Sequence, residues 1–213
     1  MRVSVTGLSV ACDCAADHAG GEVATFGNDI EAYEWGLAQY LGAGTAACYR
    51  GSRPYKDEPT RVMVTKWVSW FRAHRATLIQ PIVSRTDVSG IWAAVSIDAK
   101  RSSCGQVHIR RADMQGWDGW LHVNPFALGA GNATNADHAE VGVAMLFNPT
   151  GSTLQVTVAV PVYYTGLTTS ALVSVDDGAA KPMAVERDFS VRLALTMAPR
   201  SIHTATFARP RGL

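Results

Sequence analysis

Between residues 154 and 160 apolar and polar positions alternate strictly, with Leu154, Val156, Val158 and Val160 on one side and Gln155, Thr157 and Ala159 on the other. A period of two is the pattern of a half-buried antiparallel strand. Just upstream, Asn148-Pro149-Thr150-Gly151 supplies turn chemistry: a fixed φ at proline and a glycine free to take φ > 0. Residues 144–167 therefore predict strand, tight turn, strand. The same reading places further strands at 107–111, 119–123, 141–147, 153–160, 171–175, 189–195 and 201–207. In 189–195, Phe189, Val191, Leu193 and Leu195 alternate with Ser190, Arg192 and Ala194. Turns at Asp176-Asp177-Gly178, Lys181-Pro182 and Ala198-Pro199 separate the runs. Short strands spaced in this way predict an antiparallel β-sandwich.

The first third of the chain has a different period. Residues 28–41 predict a helix, with Asn28 as N-cap, Glu31 at the capping-box position, and Ile30, Tyr33, Leu37 and Tyr40 on one face. Gly42 is the expected C′ glycine. The small residues 43–49 suit a crowded, buried strand. A second helix begins near residues 57–59, where acidic residues and an early proline favour an N-terminus. Its apolar stripe is Val64, Trp67, Val68, Phe71 and Leu78, and Pro81 ends it. Helix, strand, long helix has no sheet of its own to cover. The expected class is α+β, with an open α/β segment ahead of the sandwich.

Composition narrows the function. Nineteen Lys+Arg against 18 Asp+Glu leave a net charge of +1 over 213 residues, without a basic run, so no nucleic-acid partner is expected. Arg110-Arg111 and Arg209 to Arg211 read as solvated surface. Cys12, Cys14, Cys48 and Cys104 are too scattered for a disulfide scaffold, and Cys12-x-Cys14 lacks zinc spacing, so neither metal nor cofactor is expected. No apolar run approaches the ~20 residues that span a bilayer. P-loop, nucleophile-elbow and dinucleotide-binding motifs are absent from the sequence.

Three phrases carry a resemblance. They are EAYEWGLAQYLGAGTAACYRG (31–51), VHIRRADMQGWDGWLHVNP (107–125) and LFNPTGSTLQVTVAVPVYYTGL (146–167), followed by APRSI near the end. Together they resemble the C-terminal third of large glycoside-hydrolase-like proteins of the α-galactosidase type, in which a (β/α)8 barrel precedes an antiparallel β-sandwich. The resemblance spans residues 18–210 apart from an insertion. It implies that residues 1–81 are the last units of such a barrel, comprising two helices and one strand. Residues 82–106 would be an insertion or linker, and 107–213 the sandwich. The stretch 83–106 is open to two readings: an intron translated in frame, or an extra hairpin with a strand at 91–97.

Barrel enzymes keep their chemistry at the C-terminal ends of the strands. The resemblance therefore implies sugar-binding roles for Tyr49 and Arg50 at the rim, and for His18 in the loop after the seventh strand. Glycoside hydrolysis needs two carboxylates across the scissile bond. In such barrels they lie on earlier strands, so the chain is expected to be a C-terminal part without catalytic residues or activity of its own. The rival is a non-catalytic carbohydrate-binding sandwich, with Trp117, Asp118 and Trp120 as a sugar platform. Alternation sets Trp120 against Leu121, so one of the two belongs to the core.

Other candidates read as structural. The acid pairs Asp113/Asp118 and Glu186/Asp188 sit beside turns, where solvated carboxylates are expected. His108, His122 and His203 lie on separate strands without ligand spacing. Tyr163-Tyr164 is expected to bury against the helical part. On a barrel remnant, Val64, Trp67 and Phe71 would be exposed and promote self-association.

Overall fold

The computed structural model describes residues 30–45, 55, 57–80, 107–113, 115–124 and 140–210. Among them are two α-helices and eight β-strands, all strand pairs antiparallel, so the protein is α+β with a β-sandwich. The chain divides into two compact units, Met1–Ala73 and His74–Leu213.

In the first unit, helix α1 spans Ile30–Gly42. Its C-terminus is a Schellman motif, in which Thr45 N–H donates to Tyr40 O (3.0 Å) and Gly44 N–H to Leu41 O (3.0 Å). The left-handed residue is thus Gly44, at φ 73°, and not Gly42, which is the last helical residue. Ala43 and Gly44 form this turn instead of opening a strand, and residues 46–49 of that expected strand lie outside the described residues. So does the expected cap Asn28. The buried side of α1 is Leu37, Ala38 and Leu41, whereas Ile30 is exposed.

Helix α2 spans Glu58–Leu78. Asp57 caps it, its Oδ1 accepting Thr60 N–H at 3.0 Å. Thr60, Met63, Val64, Trp67, Trp70, Thr77 and Leu78 form the buried stripe. Glu34 joins the two helices, its Oε1 accepting from Trp67 Nε1 (2.8 Å) and Lys66 Nζ (2.9 Å). Val64 and Trp67 are buried and Phe71 is half-buried, which corrects the expectation that all three would be exposed.

The strands are β1 (Val107–Arg110), β2 (Asp118–Val123), β3 (Glu140–Asn148), β4 (Leu154–Pro161), β5 (Ser170–Val175), β6 (Lys181–Ala184), β7 (Ser190–Met197) and β8 (Ser201–Ala208). Six of them form one sheet in the order β1-β2-β3-β8-β5-β6, and β4 pairs with β7 in a second. Side chains from both sheets meet in one core, among them Leu121, Leu146, Val158, Val160, Val173, Leu193 and Phe207. The alternation read along β4 holds, with Val158 and Val160 buried and Gln155, Thr157 and Ala159 exposed.

Three local features differ from expectation. The 148–152 turn is held by a side chain and not by glycine conformation. Buried Asn148 donates from Nδ2 to Ser152 O, Met197 O and Ala198 O, and its Oδ1 accepts Thr150 N–H and Oγ1–H. Lys181-Pro182 lies within a strand, tolerated because β6 is an edge that pairs with β5 alone. Phe189 leaves the alternating series of β7, since its φ of 58° turns the chain before Ser190.

Strand β3 is buried on both faces. Ala144 and Leu146 belong to the sandwich core, while Val143, Met145 and Phe147 are fully buried outside it. Gly119 permits the close approach of β2, because a Cβ there would lie 2.5 Å from Met145 O.

Candidate functional site

Of the residues nominated from sequence as sugar contacts, His18, Tyr49 and Arg50 lie outside the described residues. Trp120 lies in β2, between His108 of β1 and Met145 of β3. Its ring is half-buried and 4.9 Å from that of Phe147, tilted by 32°. Leu121 is the core member of the pair, as alternation required. Trp117 packs beside the sandwich core on the Leu121 side, so the two tryptophans occupy opposite faces and form no common platform. His122 is buried on the face of Trp120.

The hairpin between β1 and β2 gathers charge around Arg110. The guanidinium lies 5.7 Å from the Trp117 ring centroid and donates to Asp113 Oδ2 at 2.6 Å. Asp113 also accepts Gln115 N–H (2.9 Å), and these bonds, the backbone one first, hold its carboxyl below the usual range. Asp118 behaves in the opposite way. It is only 3% exposed, its Oδ2 has no hydrogen-bond partner among the described residues, and burial pushes its pKa from 3.8 up to about 6. Arg110 opposes that rise and the Asp113 charge adds to it. The expectation of a solvated carboxylate is thus corrected for Asp118.

One ionised acid beside one readily protonated acid is the division of labour that acid/base catalysis uses. Burial at this depth, however, keeps Asp118 from any substrate. What the arrangement does is tie the hairpin together at an electrostatic cost. The cost was not legible from sequence, because the turn position of Asp118 hides that its side chain points with Trp120 and His122 into a buried face.

A second cluster has the connectivity of a hydrolase triad. His203 Nδ1 meets Asp176 Oδ2 at 2.7 Å and its Nε2 meets Ser201 Oγ at 3.1 Å. Ser201, however, donates its hydroxyl proton to Ala198 O at 2.7 Å, so it is not aimed at the imidazole for deprotonation. Asp176 also accepts Thr204 N–H at 2.8 Å. The cluster fastens the end of β5 to the start of β8.

The last turn of α2 is fixed to the start of β3. Glu140 accepts from Thr77 Oγ1 at 2.5 Å and meets His74 Nδ1 at 2.6 Å. Burial would lower the His74 pKa, but the bond to Glu140 and the charges of Glu140 and Asp177 outweigh it and raise the pKa above 6.5. Among the described residues no group of three His, Cys, Asp or Glu could hold a metal ion, and no helix is long and apolar enough to cross a membrane.

Near the start of β3, where Thr165 approaches Gly142, lies an aromatic group that includes Tyr163 and Tyr164, the pair expected at a buried interface. Tyr163 is 61% exposed and Phe189 37%. Tyr163 meets Phe189 (centroids 5.1 Å, 87°) and Tyr164 (5.2 Å, 85°) edge to face. Tyr164 packs against the core, so it alone of the two tyrosines behaves as a buried contact.

No protein-family model matches the chain. No curated protein matches it either. Among solved structures the chain is similar to a GH27 β-L-arabinopyranosidase from Geobacillus stearothermophilus, with 12% identity and a TM-score of 0.45 over 86% of this chain and 31% of that one. It is similar to AmyP in complex with maltose, with 10% identity and a TM-score of 0.35 over 76% of this chain and 24% of that one. A variant of the Geobacillus enzyme in complex with arabinose matches at 14% identity and a TM-score of 0.30, over 49% of this chain and 20% of that one. The chain spans less than a third of the length of each of these proteins.

Proposed function

We propose that the chain is the sandwich-bearing C-terminal part of a glycoside-hydrolase-like, carbohydrate-active protein, and that it does not hydrolyse glycosides by itself. The observation that carries this reading is the succession of two helices and an antiparallel sandwich whose strand β3 is covered on both faces. A free-standing antiparallel sandwich keeps the outer faces of its sheets polar and solvated. Here Val143, Met145 and Phe147 continue the apolar series on the side away from the sandwich core. The chain itself covers both faces of β3, so this strand does not belong to the outer wall of a free-standing sandwich. The order of two helices followed by a sandwich supports the same reading, as do the three sequence phrases.

In this reading residues 1–81 are the last barrel units and 82–106 an insertion or linker. Tyr49, Arg50 and His18 contribute sugar contacts at the barrel rim, while carboxylates outside this chain perform the hydrolysis. Trp120 acts within the second buried face, stacked on Phe147, more than as a sugar platform.

The test is an assay of the purified chain against p-nitrophenyl α- and β-glycosides. No turnover above the uncatalysed rate is expected. Hydrolysis by the chain alone, retained after removal of trace contaminants, would contradict the reading.

A further inference from the structure

We propose that Tyr163, with Phe189 set edge to face beside it, forms a shallow binding site for a pyranose ring at one end of the sandwich. The choice of ligand class rests on the carbohydrate-active reading; the location rests on the rings themselves.

Both rings are held rigidly in place. Tyr163 opens a short 3-10 turn, Tyr163–Thr165, anchored on one side by buried Val162 and on the other by buried Thr165, whose Oγ1 donates to Val162 O at 2.6 Å. Gly166, at φ 73°, closes that turn. Phe189 is tied to it directly, because Val162 N–H donates to Phe189 O at 2.8 Å. The positive φ of Phe189 is unfavourable for a bulky side chain. Glu186 O accepting Phe189 N–H, and Ser190 O accepting Glu186 N–H, keep it there. The strained turn sets the ring against Tyr163, outside the core that the alternation of β7 would otherwise have given it.

The surroundings select the ligand. The turn before Phe189 exposes Glu186, Arg187 and Asp188, and Arg192 follows on β7. Arg192 Nε meets Glu186 Oε1 at 2.9 Å and its second nitrogen lies 3.9 Å from Asp188. Hydrogen bonds from Ser190 keep Asp188 ionised, so it stays an acceptor at neutral pH. Two carboxylates and two guanidinium groups sum to no net charge, which gives no attraction to a phosphate backbone or an anionic bilayer. An uncharged ligand with hydroxyls for these groups and a C–H face for the rings matches both features. A galactopyranoside, with one ring face made of contiguous C–H groups, fits this description.

The test is saturation-transfer NMR of the full chain with methyl β-galactopyranoside and methyl β-glucopyranoside, together with charge-neutral and anionic phospholipid vesicles. The expected result is saturable binding of a pyranoside with Kd on the order of 1 mM, the ring C–H protons receiving the strongest transfer. Tyr163→Ala should weaken binding at least tenfold, and Phe189→Gly should do the same while suiting the positive φ. Trp120→Phe should leave it unchanged. Binding that survives Tyr163→Ala but is lost on Trp120→Phe would overturn this site and leave the carbohydrate-active reading intact. Binding of vesicles in place of sugar, or of no pyranoside at all, would also overturn it. The broader reading is judged separately, by the mass of the native polypeptide.

Discussion

Strands β3 and β4 follow each other through one turn yet solve opposite problems. β4 exposes every second residue, and its sequence says so: Gln155, Thr157 and Ala159 face out while Val158 and Val160 face in. β3 hides both faces, with Ala144 and Leu146 in the sandwich core and Val143, Met145 and Phe147 buried on the other side. The difference shows that the two sheets do not have equal status. The β4–β7 sheet keeps one face in solvent, whereas the six-stranded sheet is covered on both faces along β3.

The largest effect should come from truncating the second face of β3. Phe147→Ala is expected to cost about 3–5 kcal/mol in urea-induced unfolding, as for a core phenylalanine. Thr157→Ala, on the outer face of β4, should change stability by no more than about 0.5 kcal/mol. Similar costs at the two positions would break the comparison.

Asp118 tests the same face by its charge. Its raised pKa means that the folded state binds a proton more tightly than the unfolded chain, so stability falls as pH rises from about 3.8 to about 6. The loss above that window is at most about 3 kcal/mol, at 1.36 kcal/mol per pKa unit. Asp118→Asn should flatten this part of the pH–stability curve and stabilise the protein at pH 7. A variant with the slope of the parent would show that Asp118 is hydrated.

A smaller effect is expected at His74. Its folded pKa is raised above 6.5, so its bond to Glu140 contributes fully below that pH and is lost as pH rises through the folded value. His74→Gln should therefore cost about 1–2 kcal/mol at pH 6 and less at pH 9. An equal cost at both would assign the bond to the neutral imidazole. The smallest effect is an expected silence: a fluorophosphonate probe should not label Ser201, whose proton is committed to Ala198 O.

Much of the sandwich was legible because strands with one buried face write their period into the sequence. Seven of the eight strands were anticipated from alternation and turn residues, and β4 matched position by position. What escaped depended on contacts distant in sequence. Lys181-Pro182 reads as a turn until the topology makes β6 an edge. Gly42 and Gly44 are equally good C′ candidates until the bond from Thr45 to Tyr40 chooses between them. Phe189 continues an apolar series that a single positive φ interrupts. Asp118 and Tyr163 were read the wrong way round, the acid as solvated and the aromatic as buried. Residue type set both expectations, whereas the packing of whole sheets decided both outcomes.

The most direct measurement is the intact mass of the native polypeptide in its source, detected through a peptide covering residues 188–200. The account predicts a species several times heavier than 22.8 kDa, with the barrel and its carboxylates on the same chain. A species at 22.8 kDa would contradict it.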